Sequence, residues 1–145
     1  MLSSYHSNLE NFFHWVSEKP TDIFLKQPIG SEYIDFSYQE SGEIVKKIAN
    51  FLKNNLKDGP KHIGILSKNS SYWILSDLAI SCAGAISVPF YATLTGPQLN
   101  QVLVHSDCQI LIVGKLDNWE EMKKGIKNDT LEVEGLGEMN APESF

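Results

Sequence analysis

Three short apolar segments separated by helical patterns do most to constrain the fold of this chain. The segments are residues 62–66, 85–88 and 109–113, and they carry little of the polar alternation shown by a strand with one wet face. Between them lie residues 71–83, apolar on nearly all sides, and a helical pattern that follows Thr95, which has Gln98 three residues later as in a capping box. This order of strands and helices produces parallel strands joined by right-handed crossovers. The sequence therefore predicts an α/β fold, a three-layer parallel sheet of βαβαβ order.

The residues before this unit predict an N-terminal helix, a β-hairpin and a second helix. Ser7 and Ser37 each precede a glutamate by three residues, which is the spacing of a capping box at a helix start. Residues 22–26 and 32–36 are predicted strands, and Pro28-Ile29-Gly30 between them has the composition of a turn. We therefore expect one helix to precede the hairpin and another to follow it.

Length and composition predict one domain followed by a tail. A chain of 145 residues that is 42% hydrophobic is large enough to bury roughly two thirds of its unfolded surface in one core. We assign residues 1–127 to that domain. Residues 128–145 contain five acidic side chains, no lysine or arginine, and scattered glycine and proline. We expect this segment to be an acidic, mobile tail.

The charge and the apolar pattern exclude several classes of protein. A formal net charge of −6 and the lack of a basic stripe argue against nucleic-acid binding, because affinity for phosphates comes from many lysines and arginines. No apolar run is long enough to cross a bilayer, and the first residues lack the pattern of a signal peptide, so we expect a cytoplasmic location. Cys82 and Cys108 have no metal-ligand spacing, and we expect both to be reduced core residues.

Three predicted loops lie where an open parallel sheet binds its ligands, beyond the carboxyl ends of the strands. They are residues 67–70, 89–95 and 114–118. Lys68 and free amides at a helix start would suit an anion in the first loop. The more ordinary interpretation is that this loop only caps the following helix.

The sequence offers no reactive group at these loops. The four histidines have no metal-ligand spacing, and the consecutive residues His105-Ser106-Asp107 cannot fold back into a catalytic triad. No Walker-type loop occurs, since Gly64 falls inside a predicted strand. Asp77 is either a buried functional acid or, more ordinarily, part of a solvent-facing stripe on its helix. We therefore predict no catalytic, cofactor-binding or metal-binding residue in this chain.

The uncharged, aromatic loop of residues 89–95 is the most suggestive of the three. We expect Pro89 to end a buried strand there. Phe90, Tyr91 and Thr93 are the candidate substrate-pocket residues, at the border of an apolar ligand cavity. The alternative is that these aromatic side chains pack against a neighbouring part of the protein.

Several motifs resemble the N-terminal region of the AMP-forming acyl-CoA synthetases. They are Phe36-Ser37-Tyr38-Gln39-Glu40, residues 63–73 (IGILSKNSSYW) and residues 78–91 (LAISCAGAISVPFY). The run Tyr91-Ala92-Thr93-Leu94-Thr95, with Gln98-Leu99 and His105-Ser106 after it, is most similar to bacterial long-chain fatty-acid–CoA ligases. The resemblance covers roughly residues 9–126. This sequence departs from the family's pattern at Lys57-Asp58-Gly59-Pro60 and after Ile126.

This resemblance implies a partial acyl-CoA synthetase large-domain fold. It also implies that the complete enzyme converts a fatty acid, ATP and CoA to acyl-CoA, AMP and pyrophosphate with Mg²⁺. The family's phosphate loop ending in Pro-Lys-Gly and its later nucleotide-binding residues do not occur among these 145 residues. The resemblance therefore implies a chain that binds none of these cofactors by itself, is inactive alone, and has the missing remainder of the ligase as its partner.

Two other functions stay open on the sequence. One is a stand-alone, doubly wound α/β module that binds a small nucleotide or acyl ligand at the strand ends. The other is a structural or dimerising fragment whose exposed apolar face pairs with a second copy.

Overall fold

A four-stranded parallel sheet and a separate hairpin form the framework of the computed structural model, which describes residues 6–126 and 129–136. The hairpin pairs β1 (Ile23–Ile29) and β2 (Glu32–Ser37) antiparallel. The sheet has the order β4-β3-β5-β6, with strands β3 (His62–Leu66), β4 (Ile86–Phe90), β5 (Cys108–Gly114) and β6 (Leu131–Leu136). All three of its ladders are parallel. The predicted α/β class, hairpin and strand direction are therefore confirmed.

The described residues form five α-helices, one before the first strand and four between or after the strands, and three of them begin with the predicted capping box. They are α1 (Asn8–Glu18), α2 (Tyr38–Asn55), α3 (Ser71–Cys82), α4 (Gly96–Ser106) and α5 (Trp119–Met122), which continues as one 3₁₀ turn (Lys123–Gly125). The side-chain oxygens of Ser7, Ser37 and Thr95 each accept a hydrogen bond from the amide three residues later, and their own backbone amides donate to the side-chain oxygen of that later residue. Within the described residues, none of these helices combines the length and apolar character needed to span a membrane.

The helices pack on opposite faces of the sheet. The connection through α3 leads from β3 to its neighbour on one side, and the connection through α4 returns past β3 to β5 on the other side. Because both crossovers are right-handed, α3 and α4 must cover opposite faces. Ile63, Ile65, Ile110 and Ile112 accordingly contact the cluster that contains α1, α2 and α3. Leu66, Leu111 and Val113 contact the cluster of α4 and α5.

The prediction that Pro89 ends a buried strand is wrong in both respects. Pro89 lies inside β4, and β4 is an edge strand whose residues are exposed or only half-buried. The amide of Ile86 donates to the carbonyl of Lys61, the residue before β3, so the backbone N–H and C=O groups of residues 86, 88 and 90 point toward β3 while those of position 89 point outward. Proline is tolerated at that position because its missing N–H would have pointed away from the ladder.

The segment expected to be a tail contributes β6. Residues 131–136 pair parallel with β5, with Ile110 opposite Leu131 and Ile112 opposite Val133. Val133 is only 7% exposed and packs in the core. The sequence thus missed a strand at residues 131–136, and the mobility of this segment stays a prediction. Residues 128 and 137–145 of the same segment lie outside the described residues, and the boundary at residue 127 stays a prediction.

Candidate functional site at the carboxyl edge of the sheet

A cavity of about 660 Å³ lies where the chain leaves β3 and β5. These strands are neighbours, but the loop after β3 leads to α3 on one face and the loop after β5 leads to α5 on the other. The two loops therefore diverge and leave a crevice between them, which is the position at which open α/β sheets bind ligands. Residues of the hairpin form the remaining wall. We call this space the edge cavity.

Backbone hydrogen bonds fix the loops around the edge cavity. The amide of Lys68 donates to the carbonyl of Lys115 at 2.9 Å, which joins the loop after β3 to the loop after β5. The amide of Ser71, the first residue of α3, donates to Oε1 of Gln27 in the hairpin at 2.7 Å. The amide of Trp73 donates to Oγ of Ser70 at 3.2 Å, so the predicted capping role of this loop is confirmed. Two amides at the start of α3 are thus already occupied.

Aromatic and aliphatic side chains supply most of the apolar surface of the edge cavity. The rings of Phe36 and Tyr72 meet edge to face with centroids 5.7 Å apart. Trp119 lines the cavity from α5, together with Leu116 from the loop before it. Burial raises the pKa of the Tyr72 phenol, so this side chain is neutral at physiological pH.

The charged side chains at the edge cavity are two lysines and one glutamate. Nζ of Lys68 forms an ion pair with the carboxylate of Asp117 at 2.6 Å. Lys115 makes no ion pair within residues 6–126 and 129–136. Glu134 accepts a hydrogen bond from Nε1 of Trp119 at 2.9 Å, which connects β6 to α5. The edge cavity is therefore lined by one lysine that has no ion pair in the described part of the chain and by one glutamate that is held by an indole.

Comparison with known proteins identifies the family to which this fold and site belong. Residues 12–142 match the family described as AMP-binding enzyme. The chain belongs to the AMP-binding enzymes. It is also 36% identical over 83 residues to Long chain acyl-CoA synthetase 4 of Arabidopsis thaliana, a match that covers 57% of this chain and 12% of the relative. The predicted resemblance to acyl-CoA synthetases is thereby confirmed, and the match spans about an eighth of that relative's length.

Solved structures of adenylate-forming enzymes have the same fold. A fatty acyl-adenylate ligase from L. pneumophila, solved with acyl adenylate and pyrophosphate, superimposes with a TM-score of 0.73 at 16% identity over 98% of this chain and 25% of its own. The N-terminal subdomain of NpsA from Klebsiella oxytoca gives a TM-score of 0.71 at 17% identity over 91% of this chain and 32% of its own. The α/β fold of this AMP-binding enzyme chain is therefore a partial fold of that class, as predicted.

The three predicted substrate-pocket residues of this AMP-binding enzyme lie away from the edge cavity. The ring of Phe90 packs over Gly64, where an added Cβ would stand 2.5 Å from Cε2 of the ring. Tyr91 is 81% exposed, and Thr93 is also exposed. The structure thus brings together the first and third predicted loops and leaves the second apart. The substrate-pocket role of these three residues stays a prediction.

The remaining candidate side chains of this AMP-binding enzyme have structural partners. Asp77 is half-buried and accepts a hydrogen bond from Oγ of Ser87 at 2.6 Å, which joins α3 to β4. Nδ1 of His62 lies 2.6 Å from the carbonyl oxygen of Ser106. Among the described residues, no group of three His, Cys, Asp or Glu side chains could hold a metal ion. Asp77 and His62 therefore connect neighbouring elements, and neither lines the edge cavity.

Sequence patterns did not reveal Gln27, Trp119 and Glu134 as cavity residues. Gln27 reaches the site only because the hairpin packs beside the start of α3, 44 residues further along the chain. Glu134 belongs to a strand that the sequence did not predict. The position of the cavity could still be predicted from topology, because the loops that follow two adjacent parallel strands lie side by side.

Proposed function

We propose that this chain is part of an ATP-dependent long-chain fatty-acid–CoA ligase and forms its N-terminal α/β region. The observation that carries the proposal is the 36% identity over 83 residues to a relative named long chain acyl-CoA synthetase. The match of residues 12–142 to the AMP-binding enzymes supports the adenylate-forming chemistry of the complete protein. ATP, Mg²⁺, CoA and a fatty acid are then reactants of that protein, which works in the cytoplasm.

In this proposal the 145 residues supply structure and contribute no reacting group. Adenylation needs several donors and a metal ion to stabilise charge on the reacting phosphates. The edge cavity has one uncompensated lysine, and a glutamate stands in its wall. The sequence contains no phosphate loop. We therefore expect the isolated chain to be inactive and to depend on the rest of the ligase.

The loop of residues 91–95 is the proposed contact with that remainder. Tyr91 is 81% exposed at its start, and Ile86 in the adjoining edge strand is 60% exposed. A large aromatic side chain exposed on a loop is consistent with a surface that another part of the protein covers. Phe90, the last residue of β4, packs its ring against Gly64 and so fixes the start of this loop.

A hybrid enzyme tests the proposal. The 83-residue segment of the Arabidopsis enzyme that matches this chain is replaced by the corresponding segment of this chain. We expect the hybrid to catalyse ATP–pyrophosphate exchange that depends on hexadecanoic acid, while the isolated chain gives only the background rate. Circular dichroism establishes that both proteins are folded. A folded hybrid without exchange, or clear exchange by the isolated chain, contradicts the proposal.

A second candidate function is a stand-alone module that binds a small nucleotide or acyl ligand. The edge cavity favours it, because its volume and its position at the strand ends suit a small molecule. Calorimetric titration with ATP and AMP separates the two candidates, since saturable nucleotide binding by the isolated chain is expected only of the module. A dimerising fragment is the third candidate, favoured by exposed Ile86 and Val104, and concentration-dependent light scattering tests it.

A further inference from the structure

We propose that Asp58-Gly59 is a site of spontaneous covalent modification, at which the folded chain slowly converts aspartate to isoaspartate. The pair lies in the loop between α2 and β3, at the amino ends of the strands and away from the edge cavity. The inference goes beyond the ligase assignment and does not depend on it. It rests on the chemistry of the pair, on its exposure and on the hydrogen bonds of the surrounding loop.

The reaction requires only these two residues and water. The backbone nitrogen of Gly59 attacks Cγ of the protonated Asp58 carboxyl group, and the amide proton leaves with the carboxyl OH as water, which closes a succinimide ring. Water then adds to one of the two ring carbonyl carbons. Opening of the ring at the main-chain carbonyl carbon leaves Gly59 bonded to Cγ, which is isoaspartate, whereas opening at Cγ restores aspartate. Nothing is oxidised or reduced, and the mass of the chain is unchanged.

Glycine at position 59 removes the main steric obstacle to this attack. A side chain on the residue after the aspartate would crowd the nitrogen as it approaches Cγ, and glycine has none. Gly59 has a φ of +109°, and an added Cβ would meet no atom within 4 Å. The space around the nitrogen is therefore open. An Asp-Gly pair occurs only here in the 145 residues.

Neither reacting group has another partner in the described part of the chain. Asp58 and Gly59 are both exposed and lie in a bend outside the helices and strands. Among residues 6–126 and 129–136, the Gly59 amide donates no hydrogen bond and the Asp58 carboxylate makes no hydrogen bond or ion pair. Ring closure therefore breaks no hydrogen bond, and the local motion that it needs costs almost no free energy at such a position.

The residues on either side of the pair are fixed, so the modification has a structural consequence. The side chain of Gln109 accepts from the amide of Lys57 at 2.7 Å and donates to the carbonyls of Lys57 at 3.1 Å and of Pro60 at 2.8 Å. Isoaspartate brings its methylene group into the main chain, which lengthens the path between Lys57 and Pro60 by one atom. Gln109 then cannot hold both ends of the loop in their present geometry. We expect its hydrogen bond to Pro60 to be lost.

Peptide mapping of the full 145-residue chain, incubated in its folded state for several weeks at neutral pH and physiological temperature, tests this inference. Electron-transfer fragmentation distinguishes isoaspartate from aspartate at each position. Asp107 is the internal control, because it is also exposed but precedes Cys108, a buried residue paired in β5. We expect isoaspartate to form at Asp58 at least about tenfold faster than at Asp107, whose following amide would have to leave the sheet. Equal rates at the two positions overturn the inference.

A synthetic peptide of residues 54–63 tests whether the fold leaves the pair accessible. We expect the folded chain to react at a rate within about threefold of the peptide, because a loop without hydrogen bonds at the reacting atoms gives little protection. Formation of isoaspartate in the peptide with none at Asp58 of the folded chain overturns the inference.

Two variants at position 58 are matched controls. Asp58→Glu keeps the charge but would have to close a larger ring, so we expect no detectable isomer there. Asp58→Asn offers an uncharged amide that loses ammonia, so it should form isoaspartate faster than the wild-type chain and gain mass as it does so. Circular dichroism establishes that both variants are folded. As much isomer in Asp58→Glu as in the wild-type chain, or none in Asp58→Asn, overturns the inference.

Thermal unfolding of the incubated chains tests the effect on Gln109. The isomerised wild-type chain should melt roughly 2–4 °C below the fresh chain, the shift expected for the loss of one hydrogen bond in a domain of this size. Asp58→Glu should show no such shift after the same incubation. Gln109→Leu, which already lacks the hydrogen bond to Pro60, should show a smaller one. An isomerised wild-type chain with an unchanged melting temperature overturns the proposed consequence.

Discussion

A single methyl group added at Gly125 should destabilise the fold markedly. Gly125 is buried in the 3₁₀ turn after α5, and its backbone packs against Gly96 at the start of α4. A Cβ at this position would overlap the carbonyl oxygen of Gly96 and stand 2.7 Å from its carbonyl carbon. Both obstructing atoms belong to the backbone, so relief requires the two segments to separate. The hydrogen bond that the side-chain amide of Asn100 donates to the carbonyl of Gly125, 3.1 Å long, would be disturbed as well.

The expected loss for Gly125→Ala follows from the cost of overpacking. Insertion of a methyl group into a filled contact costs about 1–3 kcal/mol. A loss of about 2 kcal/mol lowers the melting temperature of a domain of this size by roughly 4–8 °C. Urea unfolding followed by tryptophan fluorescence measures the free energy of unfolding, and circular dichroism measures the melting temperature.

Gly42→Ala is the matched control, because it makes the same chemical change where the obstructing atoms can move. Gly42 lies inside α2, and an added Cβ would stand 3.1 Å from a methyl group of Val16, which belongs to a side chain. Replacing glycine by alanine within a helix also gains about 0.5–1 kcal/mol. We expect little net change in stability. An unchanged free energy of unfolding for Gly125→Ala, or an equal loss in both variants, refutes the reasoning.

Three further predictions concern single side chains. Gln109→Leu removes three hydrogen bonds to the loop before β3 and should lower the free energy of unfolding in urea by about 1–3 kcal/mol. Gln101→Leu, at an exposed position, is the control and should lower it by less than about 0.5 kcal/mol. Burial and then a hydrogen bond with Glu134 raise the pKa of Glu132, so the stability that this carboxyl group contributes is greatest when it is protonated and falls as the pH rises above about 4.5. Glu132→Gln should therefore raise the melting temperature at pH 7 and leave it unchanged at pH 3. A lower melting temperature of the variant at pH 7 contradicts this. Pro89→Val adds an outward N–H to the edge strand and should increase self-association in sedimentation velocity without lowering the melting temperature.

Local signals account for most of what the sequence predicted correctly. The capping pairs at Ser7, Ser37 and Thr95 depend on residues three positions apart, so they can be recognised without tertiary information. The apolar runs that became β3 and β5 predict buried parallel strands because both of their faces are covered by helices. The fold class followed from the order of these elements.

Edge strands account for the two errors of the sequence prediction. A strand at an edge is partly exposed, so it tolerates residues that a central strand excludes. In β4 this allows Pro89 inside the strand, although proline is a residue that usually predicts a strand end. In β6 the partial exposure allows Glu132 and Glu134 to alternate with Leu131 and Val133. This acidic composition is why the sequence did not predict the strand. Composition alone could not separate an exposed edge from a mobile tail.

The sequence predicted where the candidate site lies in the fold, but it did not predict all of the residues that line it. Parallel topology places the loops after β3 and β5 side by side, and the sequence predicted both loops. The contacts that complete the cavity join residues far apart in the chain, as between Gln27 and Ser71 or between Trp119 and Glu134. Such contacts depend on how the hairpin and β6 pack, which no local pattern specifies.

The hydrogen bond between the Lys68 amide and the Lys115 carbonyl has an evolutionary consequence. Only main-chain atoms take part in it, so almost any amino acid except proline at position 68 preserves it. Substitutions at these two positions can therefore alter the electrostatic potential of the entrance while the spacing of the loops is retained. Sequences descended from this chain can therefore change the charge at this rim without rebuilding the scaffold.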